Sequence, residues 1–145
     1  MRTILAPTRL GLLGLLGLLV SVAGCPNPTG GECEIDNDCG GGDVCARDHM
    51  CTTASDVRAV TATWTIRGAD ANATTCGSHP DLYISFIGTD FGDTLGFAPV
   101  PCKLGQFSVD KLPVRFKQVE LGVEGGTSDV RALDAAGMAA LDLRL

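Results

Sequence analysis

From residue 57 to the last residue the chain reads in steps of two. Val60, Ala62, Trp64 and Ile66 alternate with Thr61, Thr63, Thr65 and Arg67, the period of a strand with one face buried. Leu82-Tyr83-Ile84-Ser85-Phe86-Ile87 repeats the pattern, and Gln106 to Leu112 places Phe107 and Val109 on one face. The apolar positions of Val114 to Glu124 slip by one residue near Lys117-Gln118, which predicts a bulge or a bend between two strands. Val130 to Leu133 and Ala140 to Leu145 complete the set, with Gly, Pro and Asp turns between them. The alanine-rich stretch from Leu133 reads as a loop leading into the final strand, which pairs in the sheet. Six or seven short strands without an amphipathic helix predict a mainly β domain over 57–145, an antiparallel β-sandwich.

The first 56 residues have a different texture. Arg2 and Arg9 precede an apolar run from Leu10 to Val22 that contains Gly11, Gly14 and Gly17. The run is shorter than the roughly 20 apolar residues of a bilayer span, so it reads as a cleaved leader rather than a membrane helix. It ends in Val22-Ala23-Gly24-Cys25. A charged start, a short apolar core and small residues before a cysteine resemble the lipobox of bacterial lipoproteins. The resemblance implies a signal peptide over 1–24, cleavage before Cys25 and lipid on its thiol. The chain has seven cysteines. Exported cysteines are mostly oxidised in pairs, so an odd count calls for one with another fate. Assigning Cys25 to lipid leaves six.

Pro26-Asn27-Pro28-Thr29-Gly30-Gly31 follows, and residues 25–32 read as a tether. In the lipoprotein resemblance, an aspartate after the lipid cysteine is a retention signal of some inner-membrane proteins. Pro26 stands there instead, which implies a place at the outer membrane.

Cys33, Cys39, Cys45 and Cys51 recur every six residues, with only Ile35, Val44 and Met50 as sizeable apolar groups between them. So few apolar side chains do not offset the entropy of ordering some 20 residues, which calls for covalent links. Two disulfides allow three connectivities. We expect the interleaved one, Cys33 to Cys45 and Cys39 to Cys51, each loop contributing about 3 kcal/mol. Zinc is a poor fit because its structural sites favour shorter C-x2-4-C gaps. Asp36, Asp38 and Asp43 surround a glycine run, but the EF-hand pattern from Asp36 meets Gly40 and Arg47 where acids belong. Solvated turn acids are the expectation. The pattern C-x5-C-x2-G-x2-C-x5-C over 33–51 resembles small EGF-like or Dickkopf-type disulfide modules, which implies a spacer or a protein-contact surface. Residues 52–56 read as a linker.

Cys76 and Cys102 remain in the second domain, and pairing them would tie together the loops that flank Tyr83. Trp64, the only tryptophan, is expected in the core. Trp64, Cys76, Cys102, Phe107, Leu112-Pro113 and Phe116 together resemble the prealbumin-like sandwiches, the group of transthyretin-like and Cna-B-like domains. That resemblance implies a fold and no ligand.

Charge and chemistry narrow the function. The whole chain has 11 basic and 17 acidic residues. Removing 1–24 takes away Arg2 and Arg9, leaving nine basic residues and a net charge of −8. Such a surface suits neither nucleic acid nor anionic headgroups. The two histidines, His49 and His79, have no metal-ligand partner at helical spacing, and H-E-x-x-H and G-x-S-x-G are absent. No cofactor, metal or catalytic set is expected. Asn72-Ala73-Thr74 is expected as a plain loop. The sequence therefore predicts a non-catalytic binding or structural module of the cell envelope, held to the membrane through Cys25, with a protein or glycan partner. The alternative is a protease inhibitor or regulator that presents Arg47-Asp48 from the cassette.

Overall fold

The computed structural model describes residues 32–145. The leader, Cys25 and the tether as far as Gly31 lie outside the described residues.

Two short strands, β1 (Val44–Cys45) and β2 (Cys51–Thr52), pair antiparallel and carry a turn of 3-10 helix at Asp36–Asp38. The sulfurs join Cys33 to Cys45 and Cys39 to Cys51, the interleaved connectivity. Cys33, Cys45 and Cys51 are the buried centre of this cassette, with Cys39 packed against them. A second 3-10 turn at Ala54–Asp56 leads directly into the sandwich.

The sandwich is built from β3 (Val57–Ile66), β4 (Ala69–Asp70), a one-turn helix α1 (Ala73–Cys76), β5 (Asp81–Ile87), β6 (Thr94–Pro101), β7 (Gln106–Pro113), β8 (Gln118–Gly122), β9 (Ser128–Ala132) and β10 (Met138–Leu143). One sheet centres on β3, with β7 antiparallel on one side and β10 parallel on the other; β4 folds back on the end of β3. The other sheet has the order β6-β5-β8-β9, antiparallel throughout. The closing strand thus joins the sheet as expected, by a parallel pairing in an otherwise antiparallel fold.

Period-two patterning decides the faces. Val60, Ala62, Trp64 and Ile66 of β3 are buried, as are Leu82, Ile84 and Phe86 of β5. They meet Val119 and Leu121 from β8 and Leu141 and Leu143 from β10 in one apolar core. Among the described residues no buried side chain is polar or charged in class. Trp64 is a core residue, and its one polar atom is satisfied: Nε1–H donates to the Cys102 carbonyl at 2.8 Å.

The slip near Lys117 proves to be a bend. β7 ends at Pro113, Phe116 N–H donates back to the Pro113 carbonyl at 3.1 Å, and β8 starts at Gln118. Phe116 itself is buried in the core. Two glycines are required by close approach. A Cβ on Gly137, where φ is +79°, would lie 2.4 Å from the Ala59 carbonyl oxygen. At Gly122, opposite Tyr83 in the ladder, a Cβ would lie 2.7 Å from the tyrosine oxygen. The bare glycine lets the ring lie across the strand, with its hydroxyl donating to Glu120 Oε1 at 2.8 Å. Burial, and then that carboxylate, push the Tyr83 hydroxyl above its ordinary pKa.

Candidate functional site

The chain direction gives the sandwich two distinct ends. β3 starts at the cassette and β5 ends there, so the cassette end carries the loops 88–93 and 113–117. The opposite end carries α1 with its flanking loops, the segment 101–105 and the turn 123–127. The ten residues of β3 span the distance between the ends, about 30 Å at strand rise.

The cassette end is built around a β-bulge. In the ladder between β3 and β7, Arg58 faces Leu112 and Val60 faces Val109, so Asp110 and Lys111 together oppose Ala59. Lys111 takes a φ of +50°. A bulge re-aims side chains, and here both go to the cassette. Asp110 pairs with the Arg47 guanidinium, and Lys111 Nζ donates to the Asp36 carboxylate at 2.6 Å. The Lys111 carbonyl also accepts from Arg47 N–H at 3.1 Å. The Lys111 ammonium, then the Cys45 N–H, hold the Asp36 carboxyl below its ordinary pKa of 3.8. The Arg47 guanidinium does the same for Asp110.

A third tie comes from the turn after β7. Arg115 donates to Asp48 of the cassette at 2.5 Å and to Asp93 of the 88–93 loop at 2.7 Å. Its guanidinium lies 4.7 Å from the centre of the Phe116 ring. Three ion-paired positions and a short connection therefore fix the cassette against the sandwich. Between them remains a cleft of about 450 Å³ lined by Ile35, Asp36, Arg47, His49, Phe97 and Lys111 among others.

The residues singled out from the sequence fall as follows. Arg47 and Asp48 are adjacent, but each is turned onto the sandwich rather than held out as a free loop. Asp36 accepts from Cys45 N–H at 3.0 Å, and Asp38 accepts from the N–H groups of Glu34 and Ile35 at 2.9 and 3.0 Å. These acids act as turn acceptors and as a docking contact. Sulfurs of Cys33, Cys39 and Cys51 lie within 4.8 Å of one another, because the two bridges pack side by side. His49 Nδ1 is 3.1 Å from the Cys33 carbonyl, inside the cassette. His79 lies at the far end, beside α1.

The far end is stapled by the Cys76–Cys102 bond, which joins α1 to a 3-10 turn at Cys102–Leu104. Asn72 is more than the plain loop residue expected. Its side-chain oxygen accepts from Thr74 and Thr75 N–H at 2.8 and 3.0 Å, while Thr75 Oγ1 accepts from Asn72 N–H. That is a reciprocal helix cap. A cleft of about 480 Å³ opens beside it, bounded by Ala73, Cys76, Pro80, Asp81, Pro101 and Lys103 among others.

Sequence reasoning missed the bulge and the ion pairs. One signal was present: the apolar positions of β7 run 107, 109, 112, a parity change at Asp110-Lys111. The chain matches no family model, and no curated protein or solved structure is significantly similar to it.

Proposed function

We propose that this chain is a lipid-anchored, non-catalytic module of the cell envelope that works by display. Its cassette is a fixed base, and the disulfide-stapled loops of the opposite end are offered to an envelope protein or glycan. The observation that carries this reading is the polarity of the unit. The tether enters at the cassette, the cassette is ion-paired to the sandwich, and the loops held by Cys76–Cys102 stand at the other end of β3, a strand about 30 Å long. Cysteine pairing supports the anchor: all six cysteines among the described residues are in disulfides, which leaves Cys25 as the odd thiol. Pro26 after that cysteine, where an aspartate would mark inner-membrane retention, supports a place at the outer membrane.

The test has two arms. Radiolabelled palmitate is incorporated by the wild type and lost in Cys25→Ala. A photo-crosslinking residue placed at His79 or Lys103 captures a discrete partner in whole cells, and one at Lys117 does not. Capture from Lys117 alone would overturn the display reading.

A further inference from the structure

Large apolar side chains are not spread evenly over the exposed surface. Of the six that stand exposed among the described residues, Ile35, Met50 and Phe91 lie at the cassette end. Val130 and Met138 stand on outer sheet faces, and Leu104 is at the far end. Phe91 is the extreme case: it is fully exposed, at 109%, on the loop between β5 and β6. An aromatic side chain so placed gains nothing from the fold that holds it.

The loop that carries it is braced. Gly88 N–H donates to the Asp93 carbonyl at 2.7 Å, and Asp93 N–H to the Asp90 carbonyl at 3.1 Å. Arg115 then clamps the Asp93 carboxylate at 2.7 Å and reaches Asp48 of the cassette. Phe91 is therefore held outward on the same end as Met50, whose backbone bridges to Glu32, the first described residue. Seven peptide units separate Glu32 from Cys25. A chain of that length spans at most about 25 Å. Glu32, at the cassette end, is thus tied to Cys25 by less chain than the length of the sandwich.

We propose that the cassette end, led by Phe91, is a second membrane contact, with the phenyl ring packed into the interfacial layer of the leaflet that holds the lipid of Cys25. This rests on the lipid-anchor reading given above. The contact is apolar in character. Asp90 sits beside Phe91, and the cassette carries Glu34, Asp36, Asp38, Asp43 and Asp48 against Arg47, so anionic headgroups would oppose it. A membrane seat here also leaves the opposite, stapled end facing away from the bilayer.

The experiment uses the mature acylated protein in phosphatidylcholine vesicles with brominated acyl chains, comparing Phe91→Trp with Leu104→Trp. Both positions are exposed, and both variants share the buried Trp64 as background. The expected result is about twofold quenching of the tryptophan at 91 and little change at 104, as an interfacial indole would give. Adding phosphatidylglycerol reduces the quenching. Equal quenching at the two positions, or none, in protein shown by mass to be acylated overturns the membrane contact and leaves the anchor standing. A rise in quenching with phosphatidylglycerol overturns its apolar basis. Absence of acyl mass on Cys25 overturns both readings.

Discussion

The cassette and the sandwich solve the same problem by opposite means. The cassette buries only Cys33, Cys45, Ala46 and Cys51, three of them disulfide-bonded cysteines. The sandwich buries a single cluster of 19 residues drawn from both sheets, enough apolar surface to hold strands that are far apart in sequence. One unit is closed by covalent loops that restrict its unfolded chain, the other by burial. The difference teaches where each is vulnerable. The cassette depends on oxidation and on its neighbour, and the sandwich depends on shape.

The largest expected effect is therefore a cavity in the sandwich. Phe86 is fully buried and sits edge-on to Phe97 at 6.1 Å between ring centres. Phe86→Ala is expected to cost about 3–5 kcal/mol, seen as a lower thermal midpoint in a single cooperative transition. The cassette disulfides should remain formed by mass. Loss of those disulfides instead would show that the cassette folds only on a finished sandwich.

The converse change is replacement of Cys33 and Cys45 together by serine. It removes one of two interleaved loops, an expected loss of about 2–4 kcal/mol that falls on residues 33–51. Hydrogen exchange should show lost protection at β1 and β2 while the amides of β3 and β5 keep theirs. Equal loss across β3 and β5 would mean that the two regions are one cooperative unit.

The coupling between them is smaller and has a named carrier. Arg115 links Asp48 to Asp93, and its side chain is 41% exposed. After allowance for solvent screening, Arg115→Ala is expected to cost about 1 kcal/mol. The signature is local: faster exchange at Asp48 and in the 88–93 loop, with the sandwich midpoint nearly unchanged. A shift of the midpoint as large as that of Phe86→Ala would place the cassette inside the folding core.

What the sequence made legible follows the same division. The alternations in β3 and β5 announced their faces because one side of each strand meets the core. β6 was not legible. Thr94–Pro101 contains Gly96, Pro99 and Pro101, residues that disfavour central strands and are tolerated here because β6 is an edge. Nor does periodicity reveal that β10 pairs parallel to β3, since one buried face looks the same in either direction. The docking site was least legible of all. Asp36 and Lys111 lie 75 residues apart and Asp48 and Arg115 lie 67 apart, and a charge carries no local mark of its distant partner. Only the change of parity at Asp110-Lys111 hinted that something there was turned outward.

The smallest effect, and the most selective, is that of acid. Asp36 and Asp110 are held below their ordinary pKa of 3.8, chiefly by hydrogen bonds from Lys111 and Arg47 respectively. Asp142 is lowered too, by the Gly68 N–H and the Thr65 hydroxyl, within the sandwich. A carboxyl lowered in the folded state stabilises it above the unfolded pKa, and that stability is lost as pH falls through the folded value. The docking contacts should thus be intact at neutral pH and weaken only below pH 3.8. The core, whose buried side chains are all apolar in class, has no group of its own to titrate there. Acid titration followed by amide chemical shifts should therefore move the amides of Asp36, Asp110 and Lys111 below pH 3.8, while those of Ala62 and Trp64, buried in β3, hold over the same range. Lys111→Met removes the leading cause of the Asp36 shift, so the midpoint at Asp36 should rise towards 3.8 while that of Asp142 stays put. If both carboxyls moved together, the junction and the sandwich would share one acid transition, and the separation between a sulfur-closed base and an apolar body would not hold.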